Sequence, residues 1–396
     1  MRRLFPLVAA VILLDTSFYA AITPLLPEYA DDLELSKTAA GVLSASYAAG
    51  TLIAALPSGW LAARIGFRSA MLVGLGLVGA SSFAFAFAQS VVVLDAARFA
   101  EGVGGACAWT GGLGWLMATA PTERRGEMIG SALAAAIVGI LLGPVIGGVA
   151  TVIGPEPVFS AVGVVSIALG AWVFSNPGAP ARRVPRAREV ARAIVSAPVM
   201  GAFWLVVLPS VFSGTFDVLV PLRMDELGAT GVAVGVAFFA AAGIEAGLSP
   251  MIGRLSDRRG RAAPIRAGLA ASALAAIVLP LPATAFLVAL VLVVAVLAMS
   301  LIWTPAMALL SDEAEGAGLD LGFAAALVSF AWAGGQVLGG SGFSGVADAS
   351  SDALAYAVVA ALFVLTLAAF SAPALRRALR RPAPEPAPAA RPPSGS

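Results

Sequence analysis

Four carboxylates stand in stretches of the chain that are otherwise apolar: Asp15, Glu101, Asp217 and Glu245. A fifth charge, Arg98, lies three residues before Glu101. A medium of low dielectric disfavours the charged form of a carboxyl, so such a group can take up a proton and release it when its surroundings change. A guanidinium in the same medium is costly unless it is paired or wet. At i and i+3, Arg98 and Glu101 fall on one helix face and can pair. The chain has no histidine and one cysteine, Cys107. Histidine catalysis, most zinc sites and an internal disulfide framework are thereby excluded. The four carboxylates remain as the candidate proton carriers. No nucleotide loop, metal cluster or nucleophile–base set occurs, so the sequence does not read as an enzyme and implies no cofactor and no metal. A net charge of +1 leaves no electrostatic footprint for a nucleic acid.

The elements that hold these residues are set by the solvent. The chain is 59% hydrophobic and 12% charged, with a mean hydropathy of +0.93. A soluble surface needs more charge than that, so lipid is the natural solvent. Apolar segments of bilayer-spanning length fall near 5–27, 38–62, 69–88, 90–119, 127–152 and 157–175, then near 198–222, 230–253, 263–281, 284–310, 319–345 and 351–371. All are expected to be helical, because lipid offers the backbone no partners. The fold expected is an all-α membrane protein of twelve transmembrane helices in two pseudo-symmetric six-helix bundles. The bundles span 1–176 and 197–373, joined by a cytoplasmic linker at 177–196. Residues 374–396 form a Pro- and Ala-rich cytoplasmic tail expected to be disordered. Asp15 interrupts the first apolar run, which reads as an uncleaved helix and places the carboxyl roughly 15 Å deep.

Arginine sets the orientation. With the N-terminus in the cytoplasm, Arg2, Arg3, Arg64, Arg68, Arg124, Arg125, the linker arginines, the cluster from Arg254 to Arg266 and the arginines of the tail all fall inside. Only Lys37 and Arg223 fall outside. Both termini are therefore expected in the cytoplasm, on a multi-pass protein of the cytoplasmic membrane.

Two glycine patterns add structure. "GWLAARIGFR", with Gly59, Arg64, Gly66 and Arg68, follows the second span. "GRLSDRRGR", with Gly253, Asp257, Arg258, Gly260 and Arg261, follows the eighth. Their recurrence at corresponding corners suggests two parallel six-span repeats rocking about a midplane cavity. In "GSALAAAIVGILLGPVIGG", Gly139, Gly143 and Gly147 recur every four residues and line one helix face, where another backbone can approach closely. Pro144 removes a donor and can bend that helix. Aromatic residues gather near midplane depth: Phe18, Tyr19, Tyr47, Trp109, Phe212, Phe216, Trp303 and Trp332. Carboxylates beside aromatic faces suit lipophilic organic cations.

On these motifs the chain resembles twelve-helix transporters of the major facilitator superfamily, over its whole length apart from the tail. The corner motifs resemble that superfamily's signature gating loop; Ala63 departs from the usual acid, while Asp257 keeps it. Gly130, Gly139, Gly143, Pro144, Gly147 and Gly148 resemble the fifth-helix motif of its drug:proton antiporters. "RFAEG" resembles an R-x-x-Q-G motif with Glu101 in place of Gln. "LLDTSFYAAITPLLP" and "FDVLVPL" are similar to segments of vesicular amine transporters and their bacterial drug-exporting relatives. The resemblance implies that Asp15 faces an amine and that Asp217 belongs to proton coupling, with Arg98, Glu101 and Glu245 as further coupling candidates. Departures are Tyr47 in place of an intramembrane lysine, Ser300 and Ser329 in place of acids, and Glu245 as an addition. The function expected is a monomeric, proton-coupled antiporter exporting small amphiphilic cations. Asp15, Phe18, Tyr19, Tyr47, Trp109, Phe216, Trp303 and Trp332 would line the substrate site. An uptake symporter and an exporter of a neutral metabolite or lipid are the alternatives.

Overall fold

The computed structural model describes residues 4–119, 125–178, 195–319 and 321–371. Most of the 177–196 linker and all of the 374–396 tail lie outside these residues, as do Arg124, the linker arginines and the side chain of Asp257.

Every described element is helical. In the N-terminal half, α1 (Leu4–Ala20) passes through a 3-10 turn at Thr23–Leu25 into α2 (Leu26–Asp32). Then follow α3 (Lys37–Ile65), α4 (Phe67–Ala86), α5 (Val91–Thr119), α6 (Arg125–Ile153) and α7 (Pro155–Phe174). The C-terminal half holds α8 (Ala197–Glu226), α9 (Gly231–Arg259), α10 (Ala262–Val278), α11 (Ala285–Gly316) and α12 (Leu321–Val337). A π-helical stretch, Leu338–Phe343, leads from α12 into α13 (Ser344–Ala349), and α14 (Asp352–Ser371) ends the half. Ten of the resulting passages are long and apolar enough to cross a bilayer. The apolar α10 is shorter, at 17 residues. The twelfth passage is α5, whose 29 residues carry Asp95, Arg98 and Glu101.

The two halves repeat one packing scheme. α1 packs on α6 as α8 packs on α12. α3 lies on α5 as α9 lies on α11, and α4 fits between α5 and α7 as α10 fits between α11 and α14. The halves meet along two further seams, α6 with α9 and α3 with α12, which the repeat also makes equivalent.

Local chemistry explains part of this likeness. α3 and α9 each run for 29 residues. Ser36 and Thr230 cap their starts, each accepting a backbone N–H three residues on at 3.3 Å. Gly66 and Gly260 end them with φ of +86° and +80° and ψ of 155° in both. A side chain is strained in that conformation, so the corner glycines are required by backbone geometry. Large apolar side chains are exposed on the helices of both halves. Val152, Phe174, Val195, Leu281 and Phe286 are each two-thirds exposed or more, which suits a surface bathed in lipid.

Candidate functional site

α1 and α5 bring together the charges picked out in the N-terminal half. Asp15, Arg98 and Glu101 are 1%, 1% and 0% exposed. Arg98 and Glu101 pair one turn apart at 2.8 Å. The guanidinium also donates to the carbonyls of Tyr19 at 3.0 Å and Phe18 at 3.5 Å. α1 stops at Ala20, and the last turn of a helix leaves acceptors without an intrahelical partner; the Phe18 carbonyl also accepts the Ala21 N–H at 3.2 Å. The carboxylate of Asp15 accepts from Trp109 Nε1 at 3.0 Å and from the Tyr47 hydroxyl at 3.1 Å, both on Oδ2. Its Oδ1 has no hydrogen-bond partner among the described residues, nor do Glu101 Oε1 and Arg98 Nε. The site is therefore a buried charged cluster with two acceptor positions and one donor left without a partner among those residues.

Aromatic rings and one amide carry this cluster across to the other half. The Arg98 guanidinium lies 5.7 Å from the Tyr19 ring centre and 5.4 Å from that of Tyr47. Tyr19 and Tyr47 stack at 4.6 Å, and Trp332 of α12 meets them edge-on at 5.5 and 6.3 Å. Gln336, one turn beyond Trp332, donates from Nε2 to the Tyr19 hydroxyl at 3.2 Å. The same side chain lies against α8, where a Cβ built on Gly214, one turn before Asp217, would stand 2.7 Å from Gln336 Oε1. A chain of contacts thus runs from Trp109 and Asp15, through Tyr47 and Tyr19, to Gln336, which lies against α8 one turn from Asp217.

Glycine makes room for this arrangement. A Cβ at Gly105 would stand 2.6 Å from Asp15 Oδ1 and 2.8 Å from the Tyr47 hydroxyl. On α6, Gly139, Gly143 and Gly147 all face α1. Added side chains there would meet Leu13 and Thr16, then Ala20, then Ala21 and Pro24. The glycine seam therefore seats the stretch of α1 that bears Asp15 and Tyr19. The Pro144 carbonyl lies against Gly235 of α9, and Gly148 is in ordinary contact with Val232. Gly130 has no described neighbour within 4 Å of a Cβ built on it.

The end of the molecule bearing Lys37 is closed by contacts between halves. Lys37 pairs with Asp352 at 2.7 Å and with Glu226 at 3.5 Å. The Thr38 hydroxyl donates to Asp348 at 2.7 Å, and Gly41 packs directly on Gly340 of the π-helical stretch. At the arginine-rich end, the last arginine of each corner motif binds within its own half. Arg68 donates to the Asn176 carbonyl at 3.0 Å and lies over Phe174. Arg261 pairs with Asp312 at 2.6 Å. Arg64 and Arg258 are exposed; a Cβ on Gly59 would meet the Phe323 ring at 4.0 Å, and one on Gly253 would meet nothing described within 4 Å.

Other singled-out residues lie elsewhere. Phe18 packs with Phe85 and Phe159 in the core of the first half, and Phe216 with Phe212 in the core of the second. Trp303 is half-buried on α11 against the core. Glu245 sits midway along α9, hydrogen-bonded to Ser300. Leu248, one turn on, lines an apolar groove of about 560 Å³ between α9, α10 and α11. The structure brings Glu245 to none of the network residues. Gln336, Gly105 and the half-buried Asp95, whose Oδ1 has no hydrogen-bond partner among the described residues, escape a reading of motifs. Asp95 could have been found, since it lies one turn before Arg98.

The family model of the Major Facilitator Superfamily matches residues 7–340. Among curated proteins, the MFS-type transporter ppzB of Metarhizium rileyi is 37% identical over 105 residues, 26% of this chain and 22% of its own. The probable vesicular acetylcholine transporter-B of Danio rerio is 36% identical over 158 residues, 37% of this chain and 32% of its own. The synaptic vesicular amine transporter of Mus musculus is 33% identical over 129 residues, 32% and 25% respectively. The chain thus spans less than a third of each of these relatives. Over nearly the full length it is similar in fold to a solved POT family transporter, with a TM-score of 0.77 at 14% identity, covering 95% of this chain and 96% of that one. For a D-xylose-proton symporter the TM-score is 0.69 at 16% identity, covering 92% and 97%. Likeness at such identity shows the fold alone.

Proposed function

The chain belongs to the Major Facilitator Superfamily, and on that premise we propose that this multi-pass membrane transporter is a proton-coupled antiporter exporting small amphiphilic cations. The observation that carries the proposal is Asp15: a buried carboxylate with a free oxygen, ringed by Trp109, Tyr47 and Tyr19, the last of which is hydrogen-bonded to Gln336 of the other half. A cation's charge is met by Asp15, and its apolar body by the faces of Tyr19, Tyr47, Trp109 and Trp332. Arg98 and Glu101 hold each other as a pair and fix the end of α1 over the site. Asp217 takes the coupling proton from one compartment and releases it to the other. Relatives named for acetylcholine and for amines support a cationic substrate class.

The two bundles, 1–176 and 197–373, rock as units about this site. The protein works as a monomer in the cytoplasmic membrane with both termini inside. The clustering of arginine at one end supports that orientation. Purified protein in proteoliposomes tests direction and coupling, with N-methyl-phenylpyridinium as probe and the membrane potential clamped. Vesicles with an acid interior should accumulate the probe, because outward proton flow drives it inward. Accumulation only in vesicles with an alkaline interior would mean symport. Failure of the probe to move or to compete would point to a neutral substrate.

A further inference from the structure

Gly235 and Gly243 turn one face of α9 toward α6. A different face changes character along its length. Leu248, Met251 and Leu255 line the apolar groove, with Ala271 of α10 and Leu301 of α11 opposite. Met251, Arg254, Leu255 and Arg258 fall at i, i+3, i+4 and i+7, so apolar and basic side chains share one stripe. From Leu248 to Arg258 the helix rises about 15 Å, half of a bilayer core of about 30 Å. The groove therefore lies within one leaflet, the one bordering the arginine-rich end. Arg254 and Arg258 are exposed and pair with no acid among the described residues. Arg261 beside them is held by Asp312. Arginines near the C-terminus of a helix also suit its dipole, which accounts for their charge but not for the apolar stripe that leads to them. The corresponding corner of the N-terminal half is built differently. Trp60 stands where α9 has Arg254, and α4 and α5 meet backbone to backbone at Gly74 and Gly111.

From this arrangement we infer that the groove is a resident site for an anionic phospholipid. One acyl chain lies along Leu248, Met251 and Leu255, and the phosphate meets Arg254 and Arg258. A guanidinium offers a planar fork of N–H donors that matches phosphate oxygens. Lipid tails surround the whole bundle, so an apolar groove alone gives no preference among lipids. The two arginines supply it, as basic pockets between helices do for anionic headgroups. A free phosphate would use the arginines without the groove. A phosphatidylcholine would use the groove but carries its own ammonium beside the phosphate. An anionic phospholipid uses both parts. The acid next to the groove, Glu245, stands one turn before Leu248 and is engaged by Ser300. It is about 20 Å along the helix from Arg258, well away from the headgroup. The groove belongs to α9, α10 and α11, which carry none of Asp15, Tyr19, Tyr47 or Trp109, so it holds a bound lipid rather than the transported cation. The inference is independent of substrate and of proton coupling.

Native mass spectrometry of the purified full chain tests this, with dioleoylphosphatidylglycerol and dioleoylphosphatidylcholine titrated separately. Their tails are identical, so a difference reports the headgroup. The first phosphatidylglycerol should bind roughly ten- to thirty-fold tighter than the first phosphatidylcholine, as two arginines near a lipid phosphate would give. Arg254→Gln combined with Arg258→Gln should bring the two affinities together. Arg64→Gln, at the same end of the other half, should leave the preference intact. Ala271→Phe fills the groove and should weaken both lipids. Melting temperatures establish that each variant is folded. If the double variant keeps the preference, the inference is overturned. An equal fall in Arg64→Gln overturns it too, since diffuse surface charge would then be the cause. A folded Ala271→Phe that binds both lipids as the parent does removes the groove from the site and sinks the inference. Glycerol phosphate, which has the anionic headgroup without tails, should not displace phosphatidylglycerol at equal concentration. Displacement would make this a site for free phosphate and overturn the lipid assignment. That competition decides the part of the tails even if Ala271→Phe fails to fold. Gradient-driven uptake enters none of these measurements, so their failure leaves the proposed transport function standing.

Discussion

Asp15 and Asp217, one carboxyl in each half, should fail differently when altered. Asp15→Asn keeps shape and the bonds from Trp109 and Tyr47 but removes charge. N-methyl-phenylpyridinium has no N–H to donate, so Asp15 holds it by charge alone. A unit pair about 4–5 Å apart at an effective dielectric of about 20 contributes about 3–4 kcal/mol, so binding of this cation should weaken at least roughly hundred-fold. Binding of methylbiphenyl, its uncharged counterpart, should change little. Equal losses for both ligands in equilibrium dialysis would make Asp15 a packing residue and remove the case for a cation. Asp217→Asn should abolish gradient-driven accumulation yet leave exchange of probe for probe, which needs no net proton step. Full accumulation by that variant would move coupling to another carboxyl. Asp15, Arg98, Glu101 and Asp217 are legible in sequence because a charge in an apolar run is costly and therefore informative. Gln336 is not: an uncharged amide among glycines carries no such signal, and its partners come from two distant helices. Phe18 and Tyr19 illustrate another limit. Adjacent on one helix, they point about 100° apart, so one enters the bundle core and the other the shared site.

At the scale of the helix, the glycine seam of α6 decides where α1 can sit. A Cβ at Gly143 would already stand 2.9 Å from Ala20 Cα, so Gly143→Leu should insert in the membrane but lose transport. Gly130→Leu should keep it, since nothing described lies within 4 Å there. Transport rates of the two variants, measured against their amounts in the membrane, separate the packing glycines of the motif from the rest. The corner glycines act through conformation. Gly66→Ala and Gly260→Ala force a side chain into a strained region costing roughly 1–3 kcal/mol, so each should lower the melting temperature. An unchanged melting temperature would mean that the corner relaxes without penalty. Most element boundaries could be read in advance because caps, arginines and positive-φ glycines mark them. The spans expected at 69–88 and 157–175 are observed as Phe67–Ala86 and Pro155–Phe174. The break in the first helix was not read, although Pro24 and Pro27 supply it by removing two backbone donors. The break falls just past the carbonyls of Phe18 and Tyr19 to which Arg98 donates.

For the molecule as a whole, orientation is the first matter to test. With Cys107→Ala as background, Arg258→Cys should react with an impermeant maleimide only after the membrane is opened, and Asp32→Cys in intact cells. The reverse pattern would invert the topology. The closed end adds a second handle. Lys37 is the one lysine in the chain, and its ammonium is engaged by Asp352 and Glu226 across the junction of the halves. Acylating reagents attack an amine only when it is deprotonated and unobstructed, and the remaining primary amine, at the N-terminus, is expected on the opposite side of the membrane. The protein therefore carries a native, single-site chemical clock for its own opening. An impermeant succinimidyl ester added outside should acylate Lys37 slowly at rest and faster in Asp352→Asn. Peptide mass spectrometry would read the rate without an introduced label, and every visit to the outward-open state would leave a permanent mark on one known nitrogen.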